Sequence, residues 1–185
     1  MYSSDVQSFS NSIDLKPIDD LEIYFWTRES DLEKKVSEGY IITEQSDHIE
    51  MLNNGLIGCF AFVGKEYAHS TWICDTEAKK PLIDRLPFVV DFRRGETCSG
   101  ASFTSIEYRR RGLYLHAYNA IFNWLKARGV KNDRFTIGYG NVGSRITREK
   151  FPVTIDSSIY KVIIFSRFSI FLKSARKAKF LSINR

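Results

Sequence analysis

The sequence is short of cysteine and of long apolar, charged or repeated stretches, and each shortage excludes a class of protein. Only three cysteines occur among 185 residues, Cys59, Cys74 and Cys98, and no two of them form a Cys-x-x-Cys pair. A disulfide framework, a zinc site or any other metal site is therefore not expected. The absence of repeats and low-complexity tracts argues against a solenoid and against a mainly disordered chain.

Signals for export or membrane insertion are also lacking. Residues 1–20 contain neither a basic start nor an apolar stretch, so no secretory leader is predicted. The apolar run at 162–165 is interrupted by Ser166 and Arg167, far short of the roughly 20 residues that a membrane-spanning helix needs. Since a domain usually holds about 100 to 200 residues, we expect a single domain. The unpaired cysteines and the lack of an export signal favour a reducing cytoplasm. A monomer or a homodimer is expected.

Acidic residues are missing from the end of the chain. None follows Asp156. The same segment contains seven basic residues: Lys161, Arg167, Lys173, Arg176, Lys177, Lys179 and Arg185. The formal net charge of +5 is therefore concentrated there. A local patch of this kind suits an anionic surface such as a membrane, whereas a uniformly basic chain would have indicated nucleic acid. We predict a flexible arm over 1–19, a single domain over 20–172 and a basic tail over 173–185.

Strand patterns dominate the first half of the chain. β-branched and aromatic residues predict strands over 21–27, 56–63, 67–74, 88–92 and 98–106. The break at Gly64-Lys65-Glu66 has the length of a hairpin turn. A short helix is predicted over 31–37, because Ser30 and Glu33 have the spacing of a capping box.

The period changes after Arg110. Apolar residues from Leu113 to Leu125 recur every three or four positions, and Gly129 follows where a helix would end. A strand over 134–139, a helix over 144–150 and a strand over 159–165 complete the order. Residues 166–180 fit either a helix or a strand, and a strand followed by a basic tail is preferred. This order favours a mixed α/β or α+β fold.

Three arginines stand at the start of the long helix. Arg109, Arg110 and Arg111 precede Gly112, where the helix dipole is already positive and each cation costs about 0.3 to 1 kcal/mol. An anion held by the free N–H groups of the first turn would reverse this penalty, and Gly112 would allow its close approach. The alternative is a solvated basic turn.

The string Arg109-x-x-Gly112-x-Tyr114, between a strand and a long amphipathic helix, resembles the acyl-CoA motif of GNAT acetyltransferases. Downstream, Gly129-Val130, the strand at 134–139 and Asn141-x-x-Ser144 follow the same order as in that family. The resemblance covers residues 97–151. It implies a largely antiparallel central sheet flanked by helices, splayed between its fourth and fifth strands, with acetyl-CoA as co-substrate.

The resemblance also implies a set of cofactor-binding residues. Backbone groups of Phe103, Thr104, Ser105 and Ile106 would pair with the pantetheine arm. The pyrophosphate would contact the turn formed by Arg109, Arg110, Arg111, Gly112, Leu113 and Tyr114. Asn141 and Ser144 would meet the pantetheine or the thioester, although Asn141 also suits a helix N-cap. Tyr114 replaces the usual small residue, and the helix at 144–150 lacks the tyrosine that many members use to protonate the thiolate.

Direct transfer to an amine calls for a base, because only the neutral amine attacks. The candidates are Asp91, in the predicted strand 88–92, His69, whose ordinary pKa is near neutral, and Glu96. Asp91 could instead pair with Arg93 or Arg94, and His69 could be structural. Tyr139 is the candidate proton donor to the leaving thiolate.

The leading hypothesis is an acetyl-CoA-dependent N-acetyltransferase acting on a small-molecule amine, such as an amino sugar or an amino-acid-like metabolite. One alternative is a catalytically inactive CoA-binding regulatory module. Another is a protein that binds an anionic surface through its basic tail.

Overall fold

The computed structural model describes residues 1–10, 13–164 and 168–179. Its strands and helices, in chain order, are β1 Tyr2–Asp5, β2 Leu21–Trp26, α1 Glu29–Ser37, α2 Gln45–Asn53, β3 Ile57–Val63, β4 Glu66–Cys74, α3 Lys80–Ile83, β5 Glu96–Thr104, α4 Leu113–Ala127, β6 Asn132–Phe135, α5 Val142–Arg148, β7 Val153–Ile164 and β8 Phe168–Lys179. Short 3-10 helices occupy Phe92–Arg94 and Ile106–Tyr108.

The strands form one 8-stranded sheet in the order β2-β3-β4-β5-β6-β1-β7-β8. The β5–β6 pair is parallel, and the other neighbouring pairs are antiparallel. The mixed, largely antiparallel sheet flanked by helices that the sequence predicted is therefore confirmed.

The sheet opens between β5 and β6. These strands pair from Glu96 and Asn132 only as far as Cys98 and Arg134, although β5 continues to Thr104. Beyond this point β5 remains paired with β4 on its other side, through a register irregularity between Ser70 and Trp72. One edge of β5 is thus left without a neighbouring strand.

Apolar side chains cover both faces of the sheet. On one face, α4 supplies Ala117, Ile121 and Leu125 to a cluster that includes Ile73 from β4. On the opposite face, residues of α1 and α2 pack with aromatic side chains of the sheet, among them Trp26, Phe60, Phe62 and Trp72. The long amphipathic helix predicted from Leu113 onward is present, and Gly129 follows it with φ at +72°.

The beginning of the chain differs from the flexible arm expected over 1–19. Tyr2–Asp5 forms β1, which pairs with both β6 and β7 inside the sheet. Val6 and Phe9 are buried in the cluster beneath α4. The composition of this segment is polar, and the strands that pair with it, β6 and β7, lie far away along the chain. Nothing in the local sequence therefore indicated this strand.

Residues 88–92 are not a strand. The β-branched and aromatic residues there predicted one, and in the structure Phe88 and Val90 are buried while Val89 is exposed. The backbone there has no ladder partner, and Asp91 instead caps the 3-10 helix by accepting the N–H of Arg94.

Two helices also differ from expectation. The sequence interpretation missed α2, which buries His48 and Leu52. The predicted capping box at Ser30 and Glu33 is wrong, because α1 begins at Glu29 and the carboxylate of Asp31 accepts the N–H groups of Thr27 and Arg28.

The end of the chain continues as strand beyond the boundary predicted at 173, since β8 extends to Lys179. Phe165, Arg167 and residues 180–185, which fell in the predicted strand and tail, lie outside the described residues. Within the described residues, no helix has both the length and the apolar character required to cross a bilayer.

The burial of Phe9 gives a test of the N-terminal segment. Its ring lies 5.1 Å from that of Phe122 and 5.6 Å from that of Phe151, between ring centroids. Phe9→Ala should lower the free energy of unfolding by about 3 to 5 kcal/mol, because it removes a buried aromatic side chain. The exposed Val89→Ala should change it by less than about 0.5 kcal/mol in the same denaturant titration. Equal effects would contradict the packing described.

Candidate active site

A cleft of about 590 Å³ lies between the end of β5, the turn before α4 and the start of α5. Most of the residues predicted to bind the cofactor line it: Phe103, Thr104, Arg109, Arg110, Gly112, Leu113, Tyr114, Asn141 and Ser144. Three others do not. Ser105 turns toward β4, where its hydroxyl donates to the carbonyl of Tyr67, Ile106 is exposed, and Arg111 lines the neighbouring cavity.

The turn before α4 forms the open N-terminus of that helix. Gly112 has φ at +84°, and a Cβ placed there would meet no atom within 4 Å. The backbone bonds of the helix start with the N–H groups of Leu115 and His116, which both donate to the carbonyl of Gly112. The N–H groups that precede them at a helix N-terminus have no partner within the helix and favour negative charge.

A second cavity of about 660 Å³ continues from this turn. It shares Arg110, Gly112, Leu115 and Lys150 with the first cleft and adds Lys16, Arg111 and His116. Asp14 is the acidic residue in its lining. We call the two connected cavities the basic trough, since cations outnumber the single carboxylate along their walls.

At its inner end the trough meets the opening in the sheet. A cavity of about 130 Å³, here called the inter-strand gap, lies between residues 99–102 of β5 and residues 135–138. Ser102, Tyr114, Asn141 and Ser144 line both the gap and the first cleft, and Tyr118 lines the gap. Asn141 also accepts the N–H of Ser144, so it caps α5 as its alternative interpretation predicted.

His69 lies at the centre of a chain of hydrogen bonds behind the cleft. Its Nδ1 is 2.7 Å from the Oγ1 of Thr104, and its Nε2 is 3.0 Å from the Oγ1 of Thr71. Thr71 donates to Ser102, whose Oγ lies 3.3 Å from the hydroxyl of Tyr118. Since Thr71 uses its proton for Ser102, His69 must donate through Nε2 and accept from Thr104.

The environment of His69 does not suit a base. The side chain is completely buried, and burial lowers its pKa to about 3. The ring therefore stays neutral near pH 7 while it orients Thr104 and, through Thr71, Ser102. Both of these residues line the cleft.

Asp91, Glu96 and Tyr139 are not brought to the gap or the first cleft. Asp91 is paired with Arg94 at 3.4 Å, as its alternative interpretation proposed. Burial alone would raise the pKa of Glu96. The hydrogen bonds and charge of Arg134, together with hydrogen bonds from the Asp91 N–H and Asn132, outweigh burial and hold the pKa below its usual range. Tyr139 is 90% exposed, and the Arg145 guanidinium lies over its ring.

Sequence reasoning missed a buried charge cluster beside the gap. Arg148 is only 1% exposed, and its guanidinium lies 3.5 Å from the centroid of Tyr118 and 3.4 Å from that of Phe135. It donates to Ser99 of β5 and lies 3.5 Å from the carboxylate of Asp133 of β6. Nothing in the string SRITREK distinguishes this arginine from its exposed neighbours, because the signal lies in its distant partners.

Neither the basic tail nor a metal is linked to this site by the described residues. Lys161 and Lys173 are exposed on the β7–β8 hairpin. Within the described ranges, no three His, Cys, Asp or Glu side chains come together to hold a metal ion.

Comparison with solved structures identifies the fold. A GNAT-family acetyltransferase from Streptococcus pneumoniae matches with a TM-score of 0.51 at 16% identity, covering 82% of this chain and 96% of that one. A putative acetyltransferase from Salmonella typhimurium, solved with acetyl-CoA, matches with a TM-score of 0.50 at 9% identity, covering 89% of this chain and 97% of that one.

A third similar structure is the glucosamine N-acetyltransferase region of a fungal multi-domain beta-N-acetylglucosaminidase. Its TM-score is 0.52 at 13% identity, covering 82% of this chain and 19% of that one. No protein-family model matches the sequence, and no curated protein does. The chain has the GNAT acetyltransferase fold, as the motif around Gly112 suggested.

The buried His69 makes the stability depend on pH. Its pKa is about 3 when folded, against 6.5 as the ordinary value, so the unfolded chain takes up a proton below pH 6.5 that the folded chain refuses until about pH 3. Stability is therefore lost as the pH falls through this window, by about 2 kcal/mol between pH 7 and pH 5 from this group. In His69→Gln, the loss of unfolding free energy between pH 7 and pH 5, measured by denaturant titration, should be smaller than in the original protein by about this amount.

Thr71→Val is the matched comparison, because it breaks the same hydrogen-bond chain without removing a titrating group. It should keep the pH dependence of the original protein. An equal flattening in both variants would assign the effect to the chain of hydrogen bonds instead of the histidine.

Proposed function

We propose that this protein transfers an acetyl group from acetyl-CoA directly to the amine of a small molecule. The observation that carries the proposal is that, on a GNAT fold, the basic trough and the inter-strand gap share lining residues, namely Ser102, Tyr114, Asn141 and Ser144. An anionic, elongated thioester fits such a path, with its phosphates at the start of α4 and its reactive end at the gap.

The phosphates are assigned to the turn before α4. The N–H groups of residues 110–114 and the side chains of Arg110, Arg111, Lys150 and Lys16 offer positive charge there. Arg109 donates from its Nε to the carbonyl of Thr104 at 3.0 Å. Its side chain would therefore stabilise the turn instead of extending toward the solvent. Binding an anion at a helix N-terminus reverses the local repulsion among these cations.

The pantetheine arm is assigned to the open edge of β5. Because β6 stops pairing after Arg134, this edge of β5 has no neighbouring strand, and an amide-containing chain could bond to its backbone groups as if it were another strand. The carbonyl of Thr104 is the exception, since it already accepts from Arg109. Phe103 and Thr104 lie along this edge in the cleft. The same backbone N–H groups could stabilise charge that develops on the thioester oxygen.

The proton for the leaving thiolate is assigned to Tyr118 in place of Tyr139. Tyr118 lines the gap, its hydroxyl lies 3.3 Å from the Oγ of Ser102, and the Arg148 guanidinium stacks on its ring. Tyr114 lies next to it, with ring centroids 4.6 Å apart, but burial raises the pKa of Tyr114. The hydroxyl of Tyr118 is the better placed donor because it lies within reach of Ser102, which lines both the first cleft and the gap.

The acceptor class is proposed to be a primary amine on an amino sugar or an amino-acid-like metabolite. The similar fungal region is described as a glucosamine N-acetyltransferase, which supports testing amino sugars first. A cytoplasmic location suits the three buried free cysteines.

Release of CoA thiol from acetyl-CoA tests the proposal directly. The purified protein should release thiol with at least one member of a panel of amino sugars, amino acids and diamines, and acetylated product should appear by mass spectrometry. A protein that binds CoA tightly and releases no thiol with any amine would instead be the inactive CoA-binding module.

Gly112→Asp should weaken CoA binding by about 100-fold or more, because it adds a negative charge where the diphosphate is assigned and strains a backbone at φ +84°. Gly64→Asp is the matched control, since Gly64 has φ +61°, a Cβ there also meets no atom within 4 Å, and it lies in the β3–β4 turn. Calorimetric titration with CoA measures both. Unchanged affinity in Gly112→Asp would remove the phosphate site from this turn.

Tyr118→Phe should lower kcat by about 10- to 100-fold, because it removes the assigned proton donor, while CoA affinity changes little. Tyr139→Phe is the comparison, and steady-state rates for both variants decide between the two tyrosines. A larger loss in Tyr139→Phe would return the donor role to Tyr139.

A further inference from the structure

The inter-strand gap is flanked by helices from both faces of the sheet. The basic trough, α4 and α5 lie on one face. On β5, a Cβ at Gly100 would lie 2.8 Å from a side-chain carbon of Ile83, the last residue of α3. On the other wall, Thr136 donates a hydrogen bond to the carboxylate of Asp84. Asp84, which follows α3, is therefore bonded to one wall of the gap, and the preceding residue, Ile83, packs against the other.

The carboxylate of Asp84 is held in a fixed orientation. Its Oδ1 accepts the N–H of Leu86 at 2.8 Å, and its Oδ2 accepts the hydroxyl of Thr136. The loop behind it is secured by the buried ammonium of Lys80, which donates to the carbonyls of Asp84 at 3.2 Å and Leu86 at 2.8 Å. The same ammonium lies 3.9 Å from the ring centroid of Phe88.

The other carboxylates beside the paired parts of β5 and β6 are already occupied. Both oxygens of Glu96 are bonded by Arg134. Asp133 is completely buried and accepts from Thr97 and Ser99. Asp156 is paired with Arg134. Asp84 is half-buried, and it has no salt bridge among the described residues.

We propose that Asp84 is the carboxylate that binds the acceptor as an ammonium ion and takes its proton, and that Lys80 is a positioning residue for it. This inference rests on the proposed acetyl transfer. The cofactor would enter the gap from the α4 face and the amine from the α3 face, so that the two reactants meet inside the sheet.

The proton and electron balance is complete without a further reactant. The ammonium gives one proton to Asp84, which passes it to solvent, and the free nitrogen forms a bond to the acetyl carbon. The carbon–sulfur bond breaks with its electron pair on sulfur, which takes a proton from Tyr118. The nitrogen loses its second proton, which restores Tyr118, and the products are the amide and the CoA thiol.

Asp84→Asn is the decisive variant because it keeps the size of the side chain and removes its charge. At pH 7 it should lower kcat/KM for the best amine of the panel by at least about 100-fold, with the KM for acetyl-CoA within about twofold. Its remaining activity should rise about tenfold per pH unit as free amine accumulates, whereas the original enzyme levels off. A loss caused only by structural damage would not produce this pH profile.

Asp75→Asn is the matched control, since Asp75 is an exposed carboxylate whose partner, Lys79 at 2.8 Å, does not line the gap. It should keep the original rates. If Asp84→Asn fails to fold by thermal denaturation, Thr136→Val tests the same site by removing one anchor of the carboxylate, with an expected loss of about 3- to 30-fold. Asp84→Asn activity within threefold of the original, or folded Thr136→Val with unchanged rates, would overturn the proposal.

Failure of the acetyl transfer itself can be told apart. If the protein binds acetyl-CoA but turns over no amine, the proposed function is rejected, and Asp84 is then judged by calorimetric titration of n-butylamine into the CoA-saturated protein. Loss of butylamine binding in Asp84→Asn alone would support the carboxylate as an amine site. Equal binding in both proteins, or none in the original, would overturn it.

Discussion

The side chain of Arg148 links β5 and β6, the two strands that diverge to form the inter-strand gap. Its guanidinium contacts Ser99 on β5 and Asp133 on β6 next to the last paired residues of the two strands, and it stacks between Tyr118 of α4 and Phe135. Removing one partner of such a buried pair typically costs about 3 to 5 kcal/mol. The opening of the sheet thus begins where this contact ends, so the gap has a fixed starting point.

The cost of this arrangement is visible at the same side chain. Nε and Nη1 of Arg148 are buried and have no hydrogen-bond partner among the described residues. Buried polar groups without partners are destabilising, and the faces of two aromatic rings compensate through cation–π contact. A neutral side chain would pack at lower cost, but it would not hold Ser99 and Asp133 at the base of the gap. The proposed proton donor Tyr118 is one of the two rings, so the same contact orients it.

The sequence predicted the features of the fold that are determined by residues close together along the chain. The period of α4, the β3–β4 hairpin and the Arg109–Gly112 turn are local patterns, and the structure agrees with each. The run of β-branched and aromatic residues at Phe88–Phe92 was also local, yet no strand formed because pairing needs a partner that the pattern cannot supply. His69 was considered as a base from its ordinary pKa, but complete burial lowers that pKa to about 3. Asp84 was overlooked because its relation to Thr136 exists only in three dimensions.

The position of β1 between β6 and β7 has a kinetic consequence. The amine of Met1 donates to the carbonyl of Ser157 at 2.7 Å across a separation of 156 residues. The sheet order runs from β2 to β6 and then through β1 to β7, so β1 is the only described link between the two parts of the sheet. Native contacts of such long range slow folding, because the entropy of closing the chain is lost before they form. Until β1 is in place, β6 and β7 both have an unpaired edge, and the folding chain is most open to association with other chains at that stage.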